Sequence, residues 1–112
     1  MSLIFSFLSK IEEDYDADQE INNGIDTLCK MAEDLTDICM QEEGIAGLAV
    51  ISCSESREFL LVKYASRVET ITFNGICINN SSIRKSALTI MNNIGQDPRF
   101  VKAFNKAHCS ET

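Results

Sequence analysis

The sequence predicts an α+β domain: N-terminal helices, an antiparallel meander of three to four strands, and two C-terminal helices packed on the sheet. Three observations predict it. Apolar residues recur at helical spacing through the first third of the chain, short β-branched and aromatic runs follow, and capped helical spacing returns after Ser81. A chain of 112 residues with 45% apolar and 24% charged side chains suits a single domain over 1–112, with its core in 21–108 and a fraying tail at 109–112.

Residues 2–13 place Leu3, Ile4, Phe7, Leu8 and Ile11 on one face of a short helix. Such a helix is marginal alone and must dock, on its own domain or on another chain. Residues 14–20 form an acidic joint. From there to Glu43, Ile21, Ile25, Leu28, Ala32, Leu35 and Cys39 recur at steps of three and four, with Asp26, Lys30, Glu33 and Asp37 on the opposite face. Gly44 is expected to end this long helix.

The period then changes. Leu48–Cys53, Phe59–Tyr64 and Val68–Phe73 read as strands, with Ser54-Glu55-Ser56 as a polar turn between the first two. Asn74-Gly75 before Ile76-Cys77-Ile78 reads as a two-residue hairpin, because both residues tolerate positive φ. Ser81 or Ser82 caps a helix carrying Ile83, Ala87, Ile90, Met91 and Ile94 on one face, closed by Gly95. Asp97-Pro98 opens a last helix, with Phe100, Val101, Phe104 and Ala107 facing inward. The expected order is α–α–β–β–β–β–α–α.

Charge is divided unevenly. Residues 1–44 carry twelve acids against two bases, and residues 45–112 carry five acids against eight bases. An overall charge of −7 disfavours direct nucleic-acid binding, which needs cations that release counterions from phosphate. Five cysteines, an odd number without close pairs, read as buried thiols of a reducing compartment rather than as a disulfide framework. The apolar run Ser2–Leu8 lacks the basic start of a signal peptide and is too short to span a bilayer, so the sequence points to the cytoplasm and away from membranes.

Motifs for chemistry are weak. Asp14, Asp16, Asp18 and Glu20 follow the first positions of a calcium loop, but Gln19 stands where glycine is needed and Ile25 where the closing glutamate belongs. No cysteine pair has zinc-site spacing, no glycine-rich phosphate loop occurs, and the single histidine, His108, lies near the end beside Cys109. The reading is a protein without metal, cofactor or enzymatic activity.

The helix running into Gly44-Ile45-Ala46-Gly47-Leu48-Ala49-Val50-Ile51 resembles the start of roadblock-type domains, small dimeric scaffolds of the profilin-like group. That resemblance implies a strand at Leu48 and a long helix after the second strand, where this chain carries Asn74-Gly75 instead.

What remains is a protein-interaction module: a small acidic adaptor or inhibitor docking a basic partner surface through Asp14, Asp16, Asp18, Asp26, Glu33 and Asp37. Self-association through Leu3, Ile4, Phe7 and Leu8 is expected as well. The alternative is a small-molecule module with a pocket between the sheet and the helix over 83–94, where Arg84 and Lys85 attract an anion or nucleotide.

Overall fold

In the computed structural model, which describes residues 17–108 (side chains from residue 19), the chain is all-helical. Six helices follow one another: α1 (Ala17–Ala32), α2 (Ile38–Ser52), α3 (Arg57–Lys63), α4 (Ala65–Cys77), α5 (Ser81–Ile94) and α6 (Pro98–His108). The short helix expected over 2–13, the first three residues of the acidic joint and the tail at 109–112 lie outside the described residues.

No strand occurs among the described residues, so the expected α+β class, its meander and its hairpin are corrected. Leu48–Cys53 lies at the end of α2, Phe59–Tyr64 covers α3, and Val68–Phe73 lies within α4. The physical reason is the phase of burial. In α2 the buried positions are Gln41, Gly44, Ile45, Leu48, Ala49 and Ser52, a repeat of three and one that only a helix can bury on one side. In α4 they are Val68, Glu69, Ile71, Thr72 and Gly75. Short apolar runs do not distinguish strand from buried helix, and tertiary packing overrides the β-branched preference. The strand implied by the roadblock-type resemblance is likewise absent, since Gly44–Ile51 lies wholly within α2.

Glycine placement explains two of these departures. A Cβ on Gly44 would stand 2.5 Å from the Ala32 nitrogen and 2.7 Å from the Leu28 carbonyl oxygen, so α1 and α2 touch backbone to backbone there. Gly44 is therefore a contact point inside α2, not the end of a helix. A Cβ on Gly75 would stand 2.8 Å from Ile45 Cδ1 and 3.0 Å from Ala87 Cβ, which makes Asn74-Gly75 a close-packing position rather than a hairpin turn. Neither glycine has positive φ.

The single long helix expected over 21–43 is two helices. Asp34 Oδ1 accepts from the Thr36 amide at 3.0 Å and from the Thr36 hydroxyl at 2.6 Å, a local competitor to helix hydrogen bonding. Asp37 then takes an extended conformation and its Oδ1 accepts from the Met40 amide at 3.1 Å, capping α2. With only the four residues Glu33, Asp34, Leu35 and Thr36 between the end of α1 and that cap, α1 and α2 form an antiparallel hairpin.

Helix α2 is the centre, with α1 on one side and α5 on another; α4 packs on α5 and α6. Every helix supplies the core: Ile25 and Cys29 from α1, Leu48 from α2, Leu60 from α3, Val68 from α4, Ile90 from α5 and Phe100 from α6 are all essentially inaccessible to solvent. The two C-terminal helices occur where the sequence places them. Helix α5 buries Ile83, Ala87, Ile90 and Ile94, although Asn80 rather than Ser81 or Ser82 caps it, accepting from the Ile83 amide at 2.9 Å. Helix α6 starts at Pro98 and buries Phe100 and Ala103, whereas Val101 and Ala107 face solvent.

Gly44→Ala tests the central contact. Alanine in a helix interior ordinarily stabilises by about 0.5–1 kcal/mol over glycine. Here the sign reverses: the added methyl forces the hairpin apart, costing roughly 1–3 kcal/mol and lowering the urea midpoint.

Candidate functional site

Three arrangements gather functional side chains. The first joins the acidic and basic halves. Arg67, on α4, reaches α1, where its Nη1 donates to Asp26 Oδ1 at 2.7 Å. Its Nε and Nη2 donate to the two Glu33 oxygens at 3.1 and 2.8 Å, a bidentate fork. Lys30, one turn after Asp26, completes the group at 3.1 Å. The Arg67 guanidinium, with Lys30, holds the Asp26 carboxyl below the usual carboxylate range, and the paired carboxylates, Glu33 foremost, raise Arg67 further.

This group rearranges the expected acidic strip. Asp26 and Glu33 close on Arg67 within the chain, and Asp37 caps α2. Asp14 and Asp16 lie outside the described residues, and Asp18 sits in the first turn of α1. A second clasp of the same kind ties α3 to α6. Arg99 pairs with Glu58 at 2.5 Å and with Asp97 at 3.0 Å, holding both carboxyls below their ordinary range.

The second arrangement is the tip of the α1–α2 hairpin. Leu35 is 75% exposed, Ile38 46% and Met40 38%. Around them stand Glu33, Asp34 and Asp37, with Glu42 and Glu43 on the next turn of α2. Leu35 and Ile38, expected to continue the inward stripe of one long helix, are instead turned out by the break at Asp34–Asp37. The signal for this tip was the Asp34-Leu35-Thr36-Asp37 cluster, whose side chains favour turns and caps over helix interior.

The third is a buried glutamate paired with a partly exposed histidine. Glu69 is 1% exposed and its Oε2 lies 2.7 Å from His108 Nε2. The imidazole packs between Phe73 and Phe104, with ring centroids 4.3 and 4.5 Å away. Glu69 Oε1 and Thr72 Oγ1, both buried, hydrogen-bond to nothing among the described residues. Sequence reasoning missed the pair by placing Glu69 in a strand and His108 at a free end. The available signal was a lone acid in an otherwise apolar run, in phase with Phe73 one turn on.

Arg84 and Lys85 are brought together, exposed, over a shallow depression of about 380 Å³ that Ser81, Leu88, Thr89 and Asn92 also line. Arg84 Nη2 donates to the Ile78 carbonyl at 3.0 Å. The pocket expected between a sheet and this helix is corrected: there is no sheet among the described residues, and the inner face of α5 packs against α2 and α4 beside a gap of only about 90 Å³. An open cleft of about 540 Å³ lies between the start of α1 and α3, lined by Asn22, Asn23, Glu58, Phe59, Val62, Lys63 and Tyr64.

Among the described residues the expectation of buried thiols holds only for Cys29, whose pKa burial pushes up to about 11; Cys39, Cys53 and Cys77 are exposed and outside any disulfide, and Cys53 Sγ accepts from the Asn93 side chain at 3.0 Å. Among the described residues no three His, Cys, Asp or Glu side chains are grouped to hold a metal, and no helix is long and apolar enough to cross a membrane. Comparison of the chain with protein-family models, with curated proteins and with solved structures finds no match.

Two measurements test these pairings. The depressed Asp26 value stabilises the fold above the ordinary carboxylate range, and that contribution disappears as pH falls through the lowered value. Arg67→Met therefore destabilises at neutral pH, converges with the parent in acid, and moves the Asp26 titration upward by NMR. His108→Ala strips a buried carboxylate of its partner and costs about 1–3 kcal/mol. Adding Glu69→Met to it recovers most of that loss in chemical denaturation, because no unpaired buried carboxyl remains.

Proposed function

We propose that the chain is a non-enzymatic protein-interaction module, an adaptor or inhibitor that docks a basic partner through the tip of the α1–α2 hairpin. One observation carries this reading: three large apolar side chains, Leu35, Ile38 and Met40, are exposed within six residues at the hairpin tip, among the acids Asp34, Asp37 and Glu43. Apolar centre and charged rim are the anatomy of a specific interface. Leu35 fits the role of anchor. The acids steer a basic surface toward it and reject acidic ones.

The reading keeps the acidic docking expected from the sequence and moves its centre. Asp34, Asp37 and Glu43 stand at the tip, while Asp26 and Glu33 belong to the Arg67 clasp and Glu42 accepts from the Asn80 side chain. Asp37 contributes charge beside its capping role. The partner chemistry is an apolar socket ringed by Lys and Arg; direct contact with nucleic acid is disfavoured by charge. A cytoplasmic setting stays within the proposal, favoured by exposed cysteines that form no disulfide.

A photoreactive group at position 35, with position 102 on α6 as control, identifies the partner in host extract. Leu35→Ser and Glu43→Lys should each weaken the purified pair by about tenfold or more, ~1.4 kcal/mol, with binding falling as salt rises. A partner that binds both variants as tightly as the parent defeats the reading. A nucleotide or inorganic phosphate that raises the melting temperature, abolished by Arg84→Ala with Lys85→Ala, replaces it with anion binding.

A further inference from the structure

Beyond Gln41, Glu42 and Glu43 near its start, helix α2 carries only apolar residues and glycine from Gly44 to Ile51, the character of a helix enclosed all round. Yet its neighbours cover only part of it. Cys39, Glu43, Ala46, Val50 and Cys53 fall within one narrow arc and are all exposed, Val50 at 69%. Of these only Glu43 is charged, and from Ala46 to Cys53 the exposed line holds no polar side chain at all. A helix face meant for water carries Lys, Glu or Gln at such positions.

We infer that this outer face of α2, from Ala46 to Cys53, is the seat of residues 3–11 of the same chain. Those residues present Leu3, Ile4, Phe7, Leu8 and Ile11 at helical spacing, an apolar stripe on a segment too short to be stable alone. The reach is right. Helices α1 and α2 are antiparallel, with Leu28 against Gly47, so α1 begins at the end of the hairpin where Cys53 stands. Residues 12–16 span up to about 17 Å when extended. Residues 3–11 cover about 13 Å at helical rise, against about 11 Å from Ala46 to Cys53.

Size complementarity agrees: Phe7 and Leu8 are large, and the small Ala46 beside Val50 leaves room on the outer face of α2. The acids Glu12, Glu13, Asp14 and Asp16 form the connection that crosses the end of the hairpin and stay in water. Tethering through that connection supplies millimolar effective concentration, which favours the same chain over a second copy. This seat is a different surface from the docking tip at Leu35, so loss of either reading leaves the other standing.

The thiols report the outcome. In the full chain, Cys53 on the seat should react with iodoacetamide more slowly than Cys77 on α4. Phe7→Asp with Leu8→Asp should speed Cys53 by about tenfold and leave Cys77 unchanged. The protection must not vary with protein concentration. Equal Cys53 rates in parent and variant overturn the inference, and protection that grows with concentration assigns the seat to a second copy and overturns it too. Should the variant also expose the buried Cys29, Phe7 replaced by photoreactive benzoylphenylalanine in the otherwise unaltered chain decides. A link within one chain to the Ala46–Cys53 peptide supports the inference; links elsewhere or between chains refute it.

Discussion

The contact between Gly44 and the Leu28–Ala32 backbone sets the geometry that the other helices inherit. With no side chain between them, α1 and α2 approach more closely than the usual 8–10 Å helix spacing favours. Leu28 then seats over Gly47, the next available gap one turn along. A closely joined pair leaves α2 free on its other flank for α5, and Gly75 repeats the device where α4 meets Ile45 and Ala87. Two glycines inside helices, each costly to helix propensity, thus serve to bring three layers together.

From this packing follows the fate of the charges. Seen along the sequence, a strongly acidic first segment precedes a mildly basic remainder. In the folded chain the two are partly folded onto one another: α4 lies near enough to α1 for Arg67 to span Asp26 and Glu33. These side chains remain about a third exposed, so the pairs are screened and contribute modestly to stability. Their value is orientation, since a planar guanidinium gripping Glu33 in a bidentate fork permits little sliding of α4 along α1. The acids left over collect at the hairpin tip, where they surround apolar residues rather than other charges.

How much of this was legible in the sequence varies by helix, for a physical reason. Helices α1, α5 and α6 each have one wet face, so alternation of polar and apolar residues records their period, and Asp97-Pro98 marks a start outright. Helix α2 has no such alternation, and α3 is only seven residues long, too few for a period to register. Val68–Phe73 of α4 is rich in β-branched residues, whose intrinsic preference points to strand. Its helical phase shows only when Val68, Ile71, Thr72 and Gly75 are taken as one face. Asn74-Gly75 carried the strongest local signal in the chain and the most misleading one, because a glycine needed for close packing looks the same as one needed for positive φ. The hairpin tip was hidden for a related reason: Leu35 and Ile38 fit the helical stripe so well that the Asp34–Asp37 turn between them was read through. Glu69 and His108 stand 39 residues apart, and no local pattern joins them.

That last pair bears on how α6 is held. Helix α6 is eleven residues long and buries only Phe100 and Ala103 fully, a narrow apolar footprint that tolerates rotation and sliding. The apolar contacts alone specify that α6 packs on α4, but not at which height. A single imidazole that must meet a carboxylate buried in α4, between Phe73 and Phe104, admits one height and one rotation. A polar pair with one buried member gains little stability over an apolar replacement, yet misplacing it by one residue leaves the Glu69 carboxyl stranded. The cost of the wrong register, more than the strength of the right one, is what makes His108 the fixed point of the C-terminal helix.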